Sequence, residues 1–482
     1  MNSVKNNLKQ FFNPRHIAII GVPRGSKGLG GRSFLERFQK GGYQGRLYPI
    51  NPNAKEICGL KVYPDLSSLP EVPDMAMVCV PAKHVPSILE ECARIGLRHI
   101  HILTAGFKET GTEEGKKLEE EITSISREKG LLIGPNGMGP YCPSMHLTAW
   151  GAIPGVSGTL GVIGQSGMIT QRLTEYIGSL GVGVEKAVSI GNASVLDSTD
   201  FLEFMAGDEK IRVIAMYMES VKEGRRFFRL VSEVNREKPV ILWKGGESQV
   251  GAMAAASHTG GLSGEQTLWD ALYRQTGAIH VRSMEEWMDA VITLSLLPAP
   301  RGKRVFLVGG GGGNGVSYSD ICINEGLDVP ALSHDTMERL RQTVPLAGAN
   351  AGNPLDMPRI FQDAAYLAEV LELGYEDPSI DIIVVDRLIP RIAFHFSDMS
   401  DSTAETAQFV KSKKHQKPTV FTVDSDGGDP DLAATGATLR AMLGKAGIPV
   451  YPSLNRAARA LAHFHNYYAR LNNTSIERKT LN

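Results

Sequence analysis

Short runs of β-branched and apolar residues alternate with helical patterns along the chain, and twice the rhythm breaks at a glycine- and proline-rich stretch and starts again. The first series is HIAIIGV (16–22), MAMVCVP (75–81), HIHILTAGF (99–107) and LLIGPNG (131–137). After WGAIPGVSGTLG (150–161) come GVIGQSG, KAVSIGN (186–192), VIAMYMES (213–220) and PVILWKGG (239–246). After LLPAPRGK (296–303) come RVFLVGGGGGNG (304–315), IDIIVVD (380–386), PTVFTVDS (418–425) and IPVYPS (448–453). Apolar runs of that length, separated by helices, specify βαβ units and buried parallel sheets. The 482 residues are therefore read as an α/β chain of three doubly wound parallel-sheet domains, 1–150, 151–300 and 301–470. The last helix is expected over roughly 454–470, with a polar, disordered tail at 471–482.

Charge narrows the partners. Lys+Arg of 51 against Asp+Glu of 52 offers no general attraction for nucleic acid or an anionic membrane, so any anion must be bound locally. No run approaches the roughly 20 apolar residues of a membrane span. The apolar start leads straight into glycines and reads as a first strand, not a leader. Five scattered cysteines without a C-x-x-C pair argue against a disulfide framework or a zinc site, so no metal is expected and a cytoplasmic location fits.

Three glycine-rich turns follow strands and precede helices, where unpaired amides and the helix dipole attract anions. The first is GVPRGSKGLGG (21–31), suited to a pyrophosphate. Its glycines miss the G-x-G-x-x-G spacing, and the second strand, GRLYPINP (45–52), ends in Asn51 and Pro52 instead of an acid, which disfavours NAD. Arg24, Lys27 and Lys55 suit a ligand with more phosphate. The other turns are VIGQSGMITQ (162–171) and the five-glycine run of FLVGGGGGNGVSYSD (306–320), neither with a P-loop ending. Between them lies GAMAAASHTGGLSGEQTLWDAL (251–272), in which small residues surround His258 in an expected mobile loop, the next helix starting only near Gly264. A neutral imidazole is a good nucleophile near pH 7.

These motifs, with YPINP (48–52), VCVPA (78–82), TAGFKETG (104–111), GPNGMG (134–139), SIGNASVLDSTDFLEF (189–204), YMESVKEGRRF (217–227), SHTGGLSG (257–264) and NPLDMP (353–358), resemble the NDP-forming acyl-CoA synthetases, relatives of succinyl-CoA synthetase. The likeness runs from about residue 10 to 465, in the order Rossmann-like CoA-binding domain, then two flavodoxin-like domains. It implies coenzyme A contacts at Gly21, Pro23, Arg24, Lys27, Asn51, Pro52, Lys55, Val80, Pro81, Ala82, Thr104, Ala105 and Gly106. It implies that His258 carries a phosphoryl group, with Glu219 holding the ring's other nitrogen. Gln165, Ser166, Gly167, Gly311, Gly312 and Gly313 would then contact phosphate from two facing glycine turns, with Asn136 and Asn192 beside the acyl phosphate. No stretch resembles an ATP-grasp domain, so ATP/ADP and Mg²⁺ are expected through a separate ATP-grasp beta subunit in an alpha2beta2-like hetero-oligomer, with a small carboxylic acid as the other substrate.

Two departures from the family pattern stand out. Pro23 replaces the usual Ser, and Gly137 replaces the Cys of G-P-N-C-x-G. They motivate an alternative, a catalytically silent CoA-binding sensor or scaffold. Tyr141, Met145 and Trp150 suggest walls for an acid bulkier than acetate.

Overall fold

The structure, a computed structural model, describes residues 8–25, 30–150, 155–259, 265–309, 312–343, 351–357, 363–387, 389, 396–413, 416–425 and 428–480. The chain divides into two compact units, Met1–Gly178 with Gly183–Arg282, and Ser179–Val182 with Ser283–Asn482.

Among the described residues the first unit holds two large sheets and a small antiparallel pair, Glu56–Ile57 with Leu60–Lys61. One large sheet comprises β1 (His16–Ile20), β2 (Arg46–Ile50), β3 (Met75–Val78), β4 (His99–Ile102) and β5 (Leu131–Ile133), in the order β2-β1-β3-β4-β5 and parallel throughout. All four residues of β3 are buried, as expected where helices cover both faces. The other comprises β6 (Gly139–Tyr141), β7 (Ser157–Gly164), β8 (Val184–Ser189), β9 (Val213–Met218), β10 (Val240–Lys244) and β11 (Ile279–Val281), in the order β11-β10-β9-β7-β8-β6. Only β6, which runs antiparallel to β8, departs from the parallel pattern among these pairings. The chain thus enters the second sheet already at Gly139. Ile17, Met77 and Ile133 of the first sheet share one core with Ile163, Val188 and Met216 of the second, which makes the two sheets one unit.

The second unit carries β12 (Val305–Gly309), β13 (Leu355–Asp356), β14 (Ile382–Asp386), β15 (Thr419–Thr422) and β16 (Val450–Tyr451), parallel and ordered β13-β12-β14-β15-β16. The expected α/β class with several parallel sheets is therefore observed.

The unit's last helix runs from Leu454 to Thr480, not to about 470, so the expected polar tail is largely helical. Its first half is anchored on the helix Met284–Leu296. Arg456 Nε and Nη2 reach Asp289 Oδ2 and Oδ1, both at 2.7 Å, and His463 Nε2 lies 2.8 Å from Glu286 Oε1. Burial lifts the Asp289 pKa to about 6 even with that arginine beside it.

Candidate functional site

The first glycine turn leaves β1 at Gly21, whose φ of +86° and close approach to Val80 (2.9 Å from an added Cβ) require glycine. Asn51, where a dinucleotide fold would place an acid, ties this turn down. Its Nδ2 donates to Val22 O at 2.7 Å, and its Oδ1 accepts from Asn53 N–H at 2.8 Å. Pro23, Arg24, Pro52 and Lys55 are exposed around the turn, with Arg24 O held by Arg32 Nη1; Lys27 lies outside the described residues. Asn51→Ala is expected to lower the unfolding free energy by about 1 kcal/mol in urea titration. An unchanged midpoint would show that the turn stands without it.

A cleft of about 620 Å³ opens in the first unit beyond the carboxyl ends of β3 and β4. It brings together Val80, Pro81, Thr104 and Ala105 with Asn136 and with Gln165, Ser166 and Gly167, the turn between β7 and the helix α1 (Gly167–Ser179). Thr104 Oγ1 donates to Val80 O at 2.7 Å, and an added Cβ on Gly106 would lie 3.1 Å from Ala82, so these segments brace each other. Gly30, Met138 and Gln171 line the cleft too, inside motifs whose other residues carry the expected contacts.

Gln165 and Glu219 form one buried constellation, 4% and 5% exposed. The Gln165 Oε1 accepts from the backbone N–H of Glu219 and, at 2.8 Å, of Ser220. Tyr217 bonds the Glu219 carboxylate, and burial together with that charge pushes the phenol's pKa up. The buried Lys244 ammonium, lowered by burial and favoured by Glu219 and then Glu247, donates to Gly245 O and lies 5.5 Å from the Trp269 ring centroid. Glu219 is thereby held by the Tyr217 phenol, with the Lys244 ammonium within electrostatic reach.

Asn192 gathers a second constellation. Its Nδ2 donates to Glu109 Oε2 (2.5 Å) and Glu119 Oε2 (2.8 Å), and Asn136 Nδ2 lies 3.5 Å from its Oδ1. Glu109 Oε1 in turn accepts from Gly106 N–H at 2.6 Å, linking Asn192 to the cleft wall. Burial raises the pKa of Glu119. Neither glutamate was singled out from sequence. Glu109 stands inside TAGFKETG, but Glu119 sits in an acid-rich helix, Glu113–Lys129, where nothing in the spacing marks it.

His258 is not in a loop. The helix α2 (Gln249–Thr259) carries it in its final turn, because the run AMAAAS has high helix propensity and Ser248 Oγ accepts from Gly251 N–H at 3.1 Å at the start. The helix packs against the 3-10 turn Lys108–Thr110, next to the Glu109–Asn192 constellation. Residues 260–264, the rest of the histidine motif, lie outside the described residues.

The five-glycine run also differs from a simple loop. The helix α3 (Gly312–Asn324) of the second unit begins within it, so Gly312 and Gly313 are first-turn residues, and Gly311 lies outside the described residues. Tyr141 and Trp150 stack on each other with centroids 5.1 Å apart in the core instead of lining the cleft, and Trp150 Nε1 donates to Met138 O at 3.0 Å. Through that bond Trp150 reaches Met138, which lines the cleft. Met145 is exposed.

Among the described residues no helix is long and apolar enough to cross a membrane. Residues 15–142 match the CoA binding domain family, 157–294 the succinyl-CoA ligase like flavodoxin domain, and 305–454 the Ligase-CoA domain. Acetate–CoA ligase (ADP-forming) I subunit alpha of Pyrococcus furiosus is 33% identical over 474 residues, 96% of this chain and 98% of that one. The 4-hydroxybutyrate–CoA ligase (ADP-forming) of Nitrosopumilus maritimus is 29% identical, and the match spans 94% of this chain and 63% of that longer protein. Among solved structures, the dinucleotide forming acetyl-coenzyme A synthetase 1 of Ca. Korarchaeum cryptofilum, in complex with phosphate and ADP, superposes with a TM-score of 0.84 at 29% identity, covering 98% of this chain and 99% of that one. Sheet order, cleft and likeness agree: the chain belongs to the ADP-forming acyl-CoA synthetases, acid–thiol ligases, and is of the alpha-subunit type.

Proposed function

We propose that this chain, with an ATP-grasp beta subunit that supplies ATP/ADP and Mg²⁺, converts a carboxylic acid, CoA and ATP into acyl-CoA, ADP and phosphate in the cytoplasm, within an alpha2beta2-like assembly. The single observation that carries this reading is the cleft of the first unit. There Val80, Pro81, Thr104 and Ala105, from the turns expected to hold CoA, meet an anion-attracting helix start (Gln165 to Gly167). The helix bearing His258 leans on the neighbouring 3-10 turn.

In this reading an imidazole nitrogen of His258 takes the phosphoryl group of ATP, with ADP as the leaving group. The carboxylate oxygen of the acid then displaces the imidazole from phosphorus, giving an acyl phosphate. Finally the CoA thiolate displaces phosphate from the acyl carbon. Glu219 accepts from the ring nitrogen that stays protonated and so fixes the tautomer, a role suited to a carboxylate already fixed by its neighbours. First-turn amides of α1 stabilise the phosphoryl charge, and Gly312 and Gly313, in the first turn of α3, are read by themselves as phosphate contacts. Asn136 and Asn192 border the acyl group.

The test is to incubate the purified chain with its beta subunit and γ-labelled ATP. Acid-labile, base-stable label should appear on wild type and be missing from His258→Ala. Labelling that survives in the variant, or never forms, removes this reading and leaves a CoA-binding protein without turnover.

A further inference from the structure

The second unit carries a crevice of its own. Its sheet order reverses between β12 and β14, and open α/β sheets bind ligands at such a switch point, beyond the carboxyl ends of the two strands. A cavity of about 350 Å³ lies there, walled by Gly309 at the end of β12, Gly312 and Asn314 in the first turn of α3, and Asp386, the last residue of β14. First-turn amides lack intrahelical acceptors and sit at the positive end of the dipole, so this wall favours an anion.

Asp386 is out of place against that wall, since an ionised carboxylate would repel what the amides attract. It is 3% exposed. Thr422 Oγ1 donates to its Oδ1 at 2.7 Å, whereas Oδ2 meets no hydrogen-bond partner among the described residues. A Cβ added to Gly309 would lie 3.6 Å from Oδ2, so the unpartnered oxygen is on the side of the glycine turn. Among the described residues no cationic side chain lines the cavity to neutralise it. The groups around it from the packed elements are Tyr318 and Asp320 of α3, Asp356 of β13 and Asp424 beyond β15. Arg387 turns away, its Nη2 donating to Thr403 Oγ1 at 2.7 Å. Burial above all, then Asp424, raises the Asp386 pKa to about 6 against the Thr422 hydrogen bond and the neighbouring Tyr318 hydroxyl. A carboxyl that keeps its proton is a donor.

We propose that Asp386 is a phosphoryl-binding residue that acts in its acid form, its Oδ2–H donating to an oxygen of a phosphoryl group seated on the first turn of α3. The inference rests on the reading of Gly312 and Gly313 as phosphate contacts and adds a side chain to it. No covalent bond changes and the proton stays on Asp386. The acid form binds, so affinity is present below the carboxyl's pKa and is lost as pH rises through it.

Sulfate is the probe, because it remains a dianion throughout the range. Calorimetric titration of the full chain at pH 5 and pH 8 is expected to show affinity falling by about tenfold or more in wild type. Asp386→Asn, which keeps a donor but cannot ionise, should bind equally at both pH values. His258→Ala should follow wild type, which separates this site from the phosphorylated ring. An infrared carbonyl band of the protonated acid, shifted by sulfate in wild type and missing in Asp386→Asn, is the second readout and does not depend on stability. A wild type with no pH slope, a variant that keeps the slope, or affinity that rises with pH as for a cation site overturns the role of Asp386. No sulfate bound by either protein at either pH overturns the glycine-turn reading itself.

Discussion

His258→Ala is expected to lower acyl-CoA formation, measured with the beta subunit, by at least roughly 10³-fold, while CoA still binds with wild-type affinity. The first half follows from the proposed relay, which has no substitute route when its nucleophile is removed. The second follows from geometry. The cleft walls at Val80, Pro81, Thr104 and Ala105 are braced by Thr104 and by the turn held through Asn51, and none of these bonds involves α2. Glu219→Gln belongs to the same experiment with a smaller loss, about 10–100-fold, since it disturbs the orientation of the ring and not its presence. Turnover within tenfold of wild type in His258→Ala would mean that phosphoryl transfer bypasses the histidine.

The second large effect is on stability. Gly137→Cys would install the residue that the family pattern usually has, yet it is expected to destabilise this chain by about 2–4 kcal/mol. An added Cβ would lie 2.7 Å from Ser189 O, 3.0 Å from Gly191 N and 3.1 Å from Ile190 C, all backbone atoms at the end of β8, which cannot swing away as a side-chain tip could. Its own carbonyl is pinned by the buried His101, whose Nε2 lies 2.7 Å away and whose pKa burial lowers to about 4, so a neutral ring donates there. To accept the side chain, the backbone must shift at Asn136 or at Asn192, which line and flank the cleft, so CoA-dependent thermal protection should weaken as well. Denaturation in urea settles it. A midpoint within experimental scatter of wild type would show that the two segments separate easily.

The fold was legible because buried parallel strands announce themselves as apolar runs such as MAMVCVP and IDIIVVD, and the order of motifs pointed to the family. Periodicity was a poorer guide to where helices start and stop. Glycine is read as a breaker, yet at Gly312 and Gly313 it occupies a first turn, where the helix still lacks half its hydrogen bonds. The small residues before His258 looked like a loop because they carry no amphipathic stripe, although alanine is the best helix former. The polar face after residue 470 hid a continuing helix for the same reason. Within the site, the glycine turns and Asn136 are marked by motif; Glu109 lies inside one, TAGFKETG, with nothing to single it out, and Glu119 lies in none. Their part is set by convergence on Asn192 across 83 and 73 residues of chain, and no local pattern records that.

The position of His258 in the closing turn of α2 has an energetic corollary. The carboxyl end of a helix carries partial negative charge, so a dianionic group attached there is raised in energy by about 0.3–1 kcal/mol, in contrast to the welcome it finds at an amino end. A phosphorylated imidazole in that place would be a donor under mild tension, inclined either to pass its cargo on or to fray the turn that bears it. Modest as it is, that bias works against storage and in favour of transfer.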